Sequence, residues 1–265
     1  MSVAGEERKK RILEILDVEG KVKVNDLASK LGVSTETIRR YLEELDKEEK
    51  LKKVYGGAVK VSYFKSEPSA VEREIIRIDE KEKIGKEAVS IINDHDVIAI
   101  DDGSTTMQLA KHLVNKTNIT VLTNSVTALS ALIENHYQQL FTGKIIFIGG
   151  EINSTHYRTT GSISLKMIED YYVDKYFITV DGISLERGVT CYDSSKGIFT
   201  KKMIQQAYNS IILIDHTKID QEKYFRIGEL EDIDTIICDQ PAPDNWSEAI
   251  KKSNINWIVP ESENN

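Results

Sequence analysis

Two hydrophobic rhythms divide this chain. Over residues 6–18, Ile12, Ile15, Leu16 and Val18 recur at the spacing that gathers one helix face toward a core. A short β-like stretch follows at 21–24, and Leu27, Ala28 and Leu31 then mark a second helix. Asn25 is placed to cap that helix and Gly32 to end it, because glycine takes the left-handed C-terminal position at least cost. Ser34 is placed to cap a third helix, with Val33 before it and Ile38 four positions into it as a hydrophobic staple. There Ile38, Leu42 and Leu45 point inward and Tyr41 lies at the edge. Thr35, Thr37, Arg39 and Arg40 stay off the buried stripe, near the helix start. Residues 51–55, Gly56-Gly57 and residues 58–61 read as a hairpin with a tight glycine turn.

From residue 80 the rhythm changes. A helix over 80–92 leads into short β-branched runs near 97–101, 119–123, 144–148, 176–180, 211–215, 235–239 and 257–259, with amphipathic segments filling most gaps. No proline falls between residues 69 and 240. This alternation predicts a mainly parallel sheet covered on both faces. The expected fold is therefore α/β: an N-terminal winged helix-turn-helix over 1–60, a linker over 61–79, and a mainly parallel α/β sheet domain over 80–265.

Composition narrows the classes. The chain has 265 residues, 40% hydrophobic and 29% charged, which suits folded domains and excludes fibrous or collagen-like chains. Its longest aliphatic runs are four residues, far short of a membrane span, and the first twenty residues lack a signal peptide's apolar stretch. Cys191 and Cys238 share no metal-ligand spacing, and a reduced cytoplasm is the expected setting. The net charge of −8 hides an asymmetry: residues 1–60 carry +2 and the remainder −10.

A three-helix unit presenting Ser34, Thr35, Thr37, Arg39 and Arg40 at the start of its third helix has the chemistry of a DNA reader. Only the N-terminal part of a recognition helix reaches base edges, and arginine there can pair with guanine. Lys52 and Lys53 on the hairpin suit a wing gripping phosphates. The alternative is a helical protein-interaction module with a solvated Arg-Arg pair, and the agreement of helices, staple, wing and lysines favours DNA.

In the larger domain the strand ends carry the polar groups, where sheets of this class bind ligands. Asp101, Asp102, Gly103, Ser104, Thr105 and Thr106 follow the first strand and open a helix. Asn124 and Ser125 follow the second, Gly149 and Gly150 the third, Asp181 and Gly182 the fourth, and Lys218 the fifth. Gly103 lets the backbone approach a ligand, while free amides and the helix dipole at Ser104–Thr106 favour an anion. Lys218 can supply countercharge, and Asp101, Asp102, Asn124 and Asp181 suit sugar hydroxyls. Each element alone is commonly a cap or a turn, but together they make the inventory of a phosphosugar pocket. There is no Walker sequence, no dinucleotide GxGxxG and no paired metal spacing among the five histidines, so no cofactor or metal is expected.

The stretches RKKRILEIL and SKLGVSTETIRRYLEELDKEEKLKKVYGGAV resemble the winged helix of the DeoR-type bacterial repressors of sugar metabolism. Tyr41 stands where that family usually has Asp. DDGSTT, TNS, GGE, FITVDGI and DHTK occupy the order expected of the family's sensor domain, which is similar to ribose-5-phosphate isomerase and binds phosphorylated sugars. The resemblance implies that Gly103, Ser104, Thr105 and Thr106 hold the phosphate and that Asp181 and Lys218 line the sugar. Where the family commonly has a Glu-rich segment, this chain reads Ser194-Ser195-Lys196-Gly197.

These observations lead to a DNA-binding transcriptional regulator, a repressor of a carbohydrate operon, with double-stranded operator DNA and a phosphorylated sugar as partners and no membrane. One winged helix offers few contacts, so a homodimer or homotetramer is expected. The competing reading is an aldose–ketose phosphate isomerase with an accessory nucleic-acid-binding domain, for which Asp101, Asp102, Asp181 and Lys218 would supply acid–base groups. A pure scaffold would have no reason to gather polar groups at its strand ends.

Overall fold

The structure, a computed structural model, describes residues 3–19, 21–48, 50–54, 56–60 and 70–261. The chain forms two compact units that divide after Ile78.

The first unit runs α1 (Val3–Glu19), β1 (Lys21–Lys23), α2 (Val24–Leu31), α3 (Thr35–Lys47), β2 (Leu51–Val54) and β3 (Gly57–Lys60). β3 lies between β1 and β2, antiparallel to both. Ile12, Leu16, Leu27, Ile38, Leu42, Leu45, Leu51 and Ala58 form one buried cluster, and Val33 packs against it with Ile38 as the staple requires. Gly32 ends α2 in the left-handed conformation, φ 62°, and its N–H donates to the Ala28 carbonyl. A Cβ on Gly57 would collide with the Val22 carbonyl oxygen, so the β1–β3 approach requires glycine there.

Two expectations are corrected. α2 starts at Val24, with Lys23 in the cap position, so Asn25 lies inside the first turn and does not cap. The Val24 N–H is tied to the Gly56 carbonyl at 2.8 Å, which makes the chain turn from strand to helix one residue early. Tyr41 is buried rather than at the edge, and the Arg40 guanidinium lies 5.6 Å from its ring centroid. Tyr55 and Val61 of the expected hairpin, and residues 61–69 of the expected linker, lie outside the described residues. Beyond them come the short α4 (Ala70–Arg73) and α5 (Ile78–Ser90).

The second unit continues with β4 (Val97–Ile100), α6 (Ser104–His112), β5 (Thr120–Thr123), α7 (Val126–Tyr137), β6 (Lys144–Phe147), β7 (Glu151–Asn153), β8 (Arg158–Thr160) and α8 (Gly161–Ile168). Then follow β9 (Val173–Ile178), β10 (Gly182–Ser184), β11 (Gly188–Cys191), α9 (Ser194–Ile204), β12 (Ala207–Ile214), β13 (Phe225–Gly228), β14 (Thr235–Cys238), α10 (Ser247–Ser253) and β15 (Asn256–Ile258). The main sheet has seven strands in the order β15-β14-β12-β9-β4-β5-β6, and every neighbouring pair is parallel.

Strand alternation sends Ile98, Ile100, Val121, Phe177, Ile211, Leu213 and Ile237 to one face, beneath α5, α6 and α7. It sends Ala99, Leu122, Tyr176, Ile178, Ile212, Ile214, Ile236 and Cys238 to the other, with Ile168 of α8 and Phe199 and Met203 of α9. Both faces are covered, which is why these strands read as continuous apolar runs. Two smaller antiparallel pieces have no counterpart in the sequence reading: the β7–β8 hairpin and a three-stranded sheet ordered β10-β11-β13. Their strands are short and carry no apolar run, as in Glu151–Asn153 and Arg158–Thr160.

Candidate functional site

In the first unit the start of α3 is open. Ser34 caps the helix by accepting from the Thr37 N–H at 3.2 Å, and its hydroxyl lies 2.9 Å from the Thr37 hydroxyl. Thr35, Arg39 and Arg40 are exposed. Toward the other end of α3, Lys9 of α1, itself almost wholly buried, joins the two helices through an ion pair with Glu44 at 3.2 Å and also pairs with Glu6 of its own helix at 2.7 Å. Lys53 is exposed on β2, its N–H donating to Asp46 at 3.0 Å and its ammonium 3.8 Å from Glu43. The Lys52 backbone pairs with Val59 across the hairpin, and its side chain lies outside the described set.

In the second unit the strand order locates a site. The chain leaves β4 toward β5 and β6 and later returns on the other flank at β9. Loops leaving two such neighbours diverge and open a crevice at the carboxyl ends of the strands. The loop after β4 is Asp101-Asp102-Gly103, and that after β9 is Thr179-Val180-Asp181. A Cβ on Gly103 would overlap the Thr179 side chain, so glycine lets the two loops close on one another.

Gly103 opens α6, whose first-turn amides have no acceptor within the helix and whose dipole favours negative charge. The three hydroxyls here differ. Thr106 donates to the Asp101 carbonyl at 2.8 Å and also lies 3.1 Å from that of Gly103, so it braces the loop. Ser104 and Thr105 are largely buried, and their hydroxyls have no hydrogen-bond partner among the described residues.

A charged floor lies under this loop. Lys196, near the start of α9 and 2% exposed, reaches in so that its ammonium donates to the Asp102 carbonyl at 3.0 Å and to Thr179 Oγ1 at 3.2 Å. It stands 3.5 Å from Asp101 Oδ2 and 3.5 Å from Asp102 Oδ1. Burial pulls its pKa down, but the carboxylates of Asp101, Asp102 and Asp181 outweigh this and hold it above the usual lysine value. Arg158 of β8, fully buried, bridges Asp102 at 2.8 Å and Asp193 at 2.5 Å. Asp193 also caps α9, accepting from the Ser195 and Lys196 N–H groups. Burial acts to raise its pKa, but the Arg158 charge and these bonds prevail and lower it.

The other sequence-selected groups take varied places. Asn124 is buried, its Nδ2 donating to the Thr159 carbonyl while its Oδ1 has no partner. Ser125 caps α7 by accepting from the Ala128 N–H. The Gly149 carbonyl accepts from Ser164 Oγ, and a Cβ on Gly150 would strike that same hydroxyl, so both glycines seat α8. Asp181 accepts from the Tyr192 N–H at 3.0 Å, and Gly182 pairs with Thr190 where β10 begins. Lys218 is half-buried in the 3-10 turn after β12, where its charge helps lower the Asp215 pKa against the opposing effect of burial. Among the described residues, the cation within 4 Å of both Asp101 and Asp102 is Lys196.

Lys196, Arg158, Asp193 and Thr179 were not selected from sequence. Lys196 falls in the segment that departs from the Glu-rich pattern, and that departure was its signal. Arg158 sits in a hairpin that left no periodic trace. Among the described residues, no cluster of three metal-ligating side chains occurs and no helix is long and apolar enough to cross a membrane.

The family model "DeoR C terminal sensor domain" matches residues 76–240, and "DeoR-like helix-turn-helix domain" matches residues 8–63. The chain is 31% identical to the HTH-type transcriptional repressor GlcR of Bacillus subtilis, with 97% of each chain covered. It is 29% identical to a putative aga operon transcriptional repressor of Escherichia coli O157:H7, over 96% of this chain and 93% of that one. Among solved structures, ribose 5-phosphate isomerase A from Methanocaldococcus jannaschii overlaps 54% of each chain, at 20% identity and a TM-score of 0.38.

Proposed function

Because the chain belongs to the DeoR family of transcriptional regulators, we propose that it represses a carbohydrate-utilisation operon and that a phosphorylated sugar in the β4–β9 crevice controls it. It acts in the cytoplasm as a homodimer or homotetramer, since paired recognition helices are needed to read two half-sites. Ser34, Thr35, Thr37, Arg39 and Arg40 meet base edges and nearby phosphates, and Lys52 and Lys53 hold the backbone. In the crevice the first-turn amides of α6, with the Ser104 and Thr105 hydroxyls, take the phosphate. Asp181 and Asn124 meet sugar hydroxyls, and Lys218 supplies countercharge at the rim.

The observation that carries this reading is the pair of unpartnered hydroxyls on a helix N-terminus at the point where the strand order reverses. Two of the carboxylates the isomerase reading calls on are less suited to that chemistry. Asp102 is locked to Arg158, and Asp181 accepts a backbone N–H, whereas proton transfer needs a carboxylate poised over the carbon acid.

The test is a thermal-shift panel of phosphorylated sugars on the full chain, followed by operator binding with and without any hit. A specific effector should stabilise by about 2.7 kcal/mol at a hundredfold excess over Kd and should change operator affinity. Turnover of a C4–C6 sugar phosphate without an effect on DNA binding would favour the isomerase instead.

A further inference from the structure

Among the described residues, carboxylates outnumber cations beneath the crevice. Asp101, Asp102 and Asp181 are buried and Asp193 is half-buried, and Lys196 and Arg158 are the cations set among them. Arg158 is engaged by Asp102 and Asp193. Lys196 is shared at 3.5 Å between Asp101 and Asp102, and its closer contacts are to neutral oxygens.

Asp101 is the least well served. It is 1% exposed, its Oδ1 has no hydrogen-bond partner among the described residues, and its Oδ2 lies 3.5 Å from the Lys196 ammonium and 3.5 Å from the Thr200 hydroxyl, with the Asp102 N–H favouring its charged form. The groups around it are Asp102 beyond β4, Tyr176 on β9, Lys196 and Thr200 on α9, and Arg158 on β8. The Tyr176 hydroxyl is buried beside Asp101 and Thr200, and burial holds its pKa well above the usual value, so it adds no charge near neutrality. Burial pushes the Asp101 carboxyl up to about 6, with Asp102 adding to the rise and Lys196 opposing it.

A phosphate monoester brings between one and two negative charges near pH 7. At the α6 N-terminus it would stand over a floor already rich in carboxylate, and each added charge makes ionised Asp101 costlier. Building on the anion-binding reading of the crevice, we propose that the sensor binds its effector's oxyanion together with one proton, and that Asp101 is the residue that holds or shares it. Asp101 is thereby a specificity-determining residue. It admits oxyanions that arrive with a proton or can share one, as phosphate monoesters do, and it disfavours fixed dianions at alkaline pH.

Inorganic sulfate separates the protein's proton from the ligand's, because it stays a dianion from pH 5.5 to 8.5. The experiment titrates sulfate into the full chain across this range at constant ionic strength. Calorimetry at pH 7 in two buffers of different ionisation heat then counts the protons taken up. Sulfate affinity should fall about tenfold per pH unit above pH ~6, with close to one proton taken up per sulfate. Asp101→Asn should flatten the profile and remove the uptake. The proposal is overturned if wild type binds sulfate without proton uptake, or if Asp101→Asn keeps the wild-type slope. The wild-type calorimetry decides the matter even if the variant does not fold. Failure of both sulfate and inorganic phosphate to bind at any pH would overturn the anion crevice itself, and this proposal with it.

Discussion

Arg158 and Asp102 meet 2.8 Å apart with neither side chain exposed, and they come from elements that no local pattern connects. Asp102 follows the strand that opens the crevice, and Arg158 belongs to the hairpin after β6, bridged to Ser125 in the loop after β5. The same guanidinium reaches Asp193, which caps α9. One side chain thus ties β4, the β7–β8 hairpin and α9 together.

Removing that guanidinium takes the nearest described cation, at 2.8 Å, from a buried carboxylate. Arg158→Leu should cost about 3–5 kcal/mol, and adding Asp102→Asn should recover part of the loss. Urea unfolding followed by tryptophan fluorescence reads this unit specifically, because both tryptophans, Trp246 and Trp257, lie in it.

The hydroxyls at the start of α6 should separate by role. Thr106→Val removes the bond to the Asp101 carbonyl and should lower stability by about 1 kcal/mol. Ser104→Ala should leave stability near wild type and weaken the effector. Thr105→Asp sets a carboxylate against the phosphate and should abolish the effector's influence on DNA, with DNA affinity in its absence unchanged. Paired unfolding and operator titrations distinguish these outcomes.

On the recognition helix, Arg39→Ala should lose about 1–3 kcal/mol on the operator and little on random duplex. Lys53→Ala should instead weaken all sequences alike and reduce the slope of log affinity against log salt by about one unit. Binding isotherms at several salt concentrations on both duplexes provide the check.

Two carboxylates of the floor should pull the pH dependence of stability in opposite directions. Asp101 has a raised pKa, so the folded state binds its proton more tightly than the unfolded chain, and stability should fall as pH rises from about 4 through 6. Asp193 has a lowered pKa, so its contribution is present above the ordinary carboxylate value and is lost as pH falls through the lowered one. Asp101→Asn should remove the first slope and Asp193→Asn the second, as read from unfolding midpoints at pH 3 to 7.

Much of this architecture was legible because it is local or strongly periodic. α3 announces itself through Ile38, Leu42 and Leu45 and the Ser34 cap, and the central strands through runs such as Ile211–Ile214, apolar because both faces are covered. The loop that opens α6 and closes on Thr179 was legible too, since Gly103 and the hydroxyls after it are contiguous. The cations of the floor were not. Arg158 and Lys196 reach Asp102 from distant elements, and burial of a lysine or arginine leaves no mark in composition. Lys218 was legible from its strand-end position, and the turn after β12 sets its charge beside Asp215.

The reversal of strand order between β4 and β9 also sets a timetable for a chain leaving the ribosome. The winged helix has all its strands by Lys60 and is built from near neighbours, so it can fold early. The crevice needs β9 to add beside β4, and its floor needs Lys196. At ribosomal speeds that lag is on the order of ten seconds. A nascent chain is therefore able to fold its helix-turn-helix unit before the crevice between β4 and β9 exists.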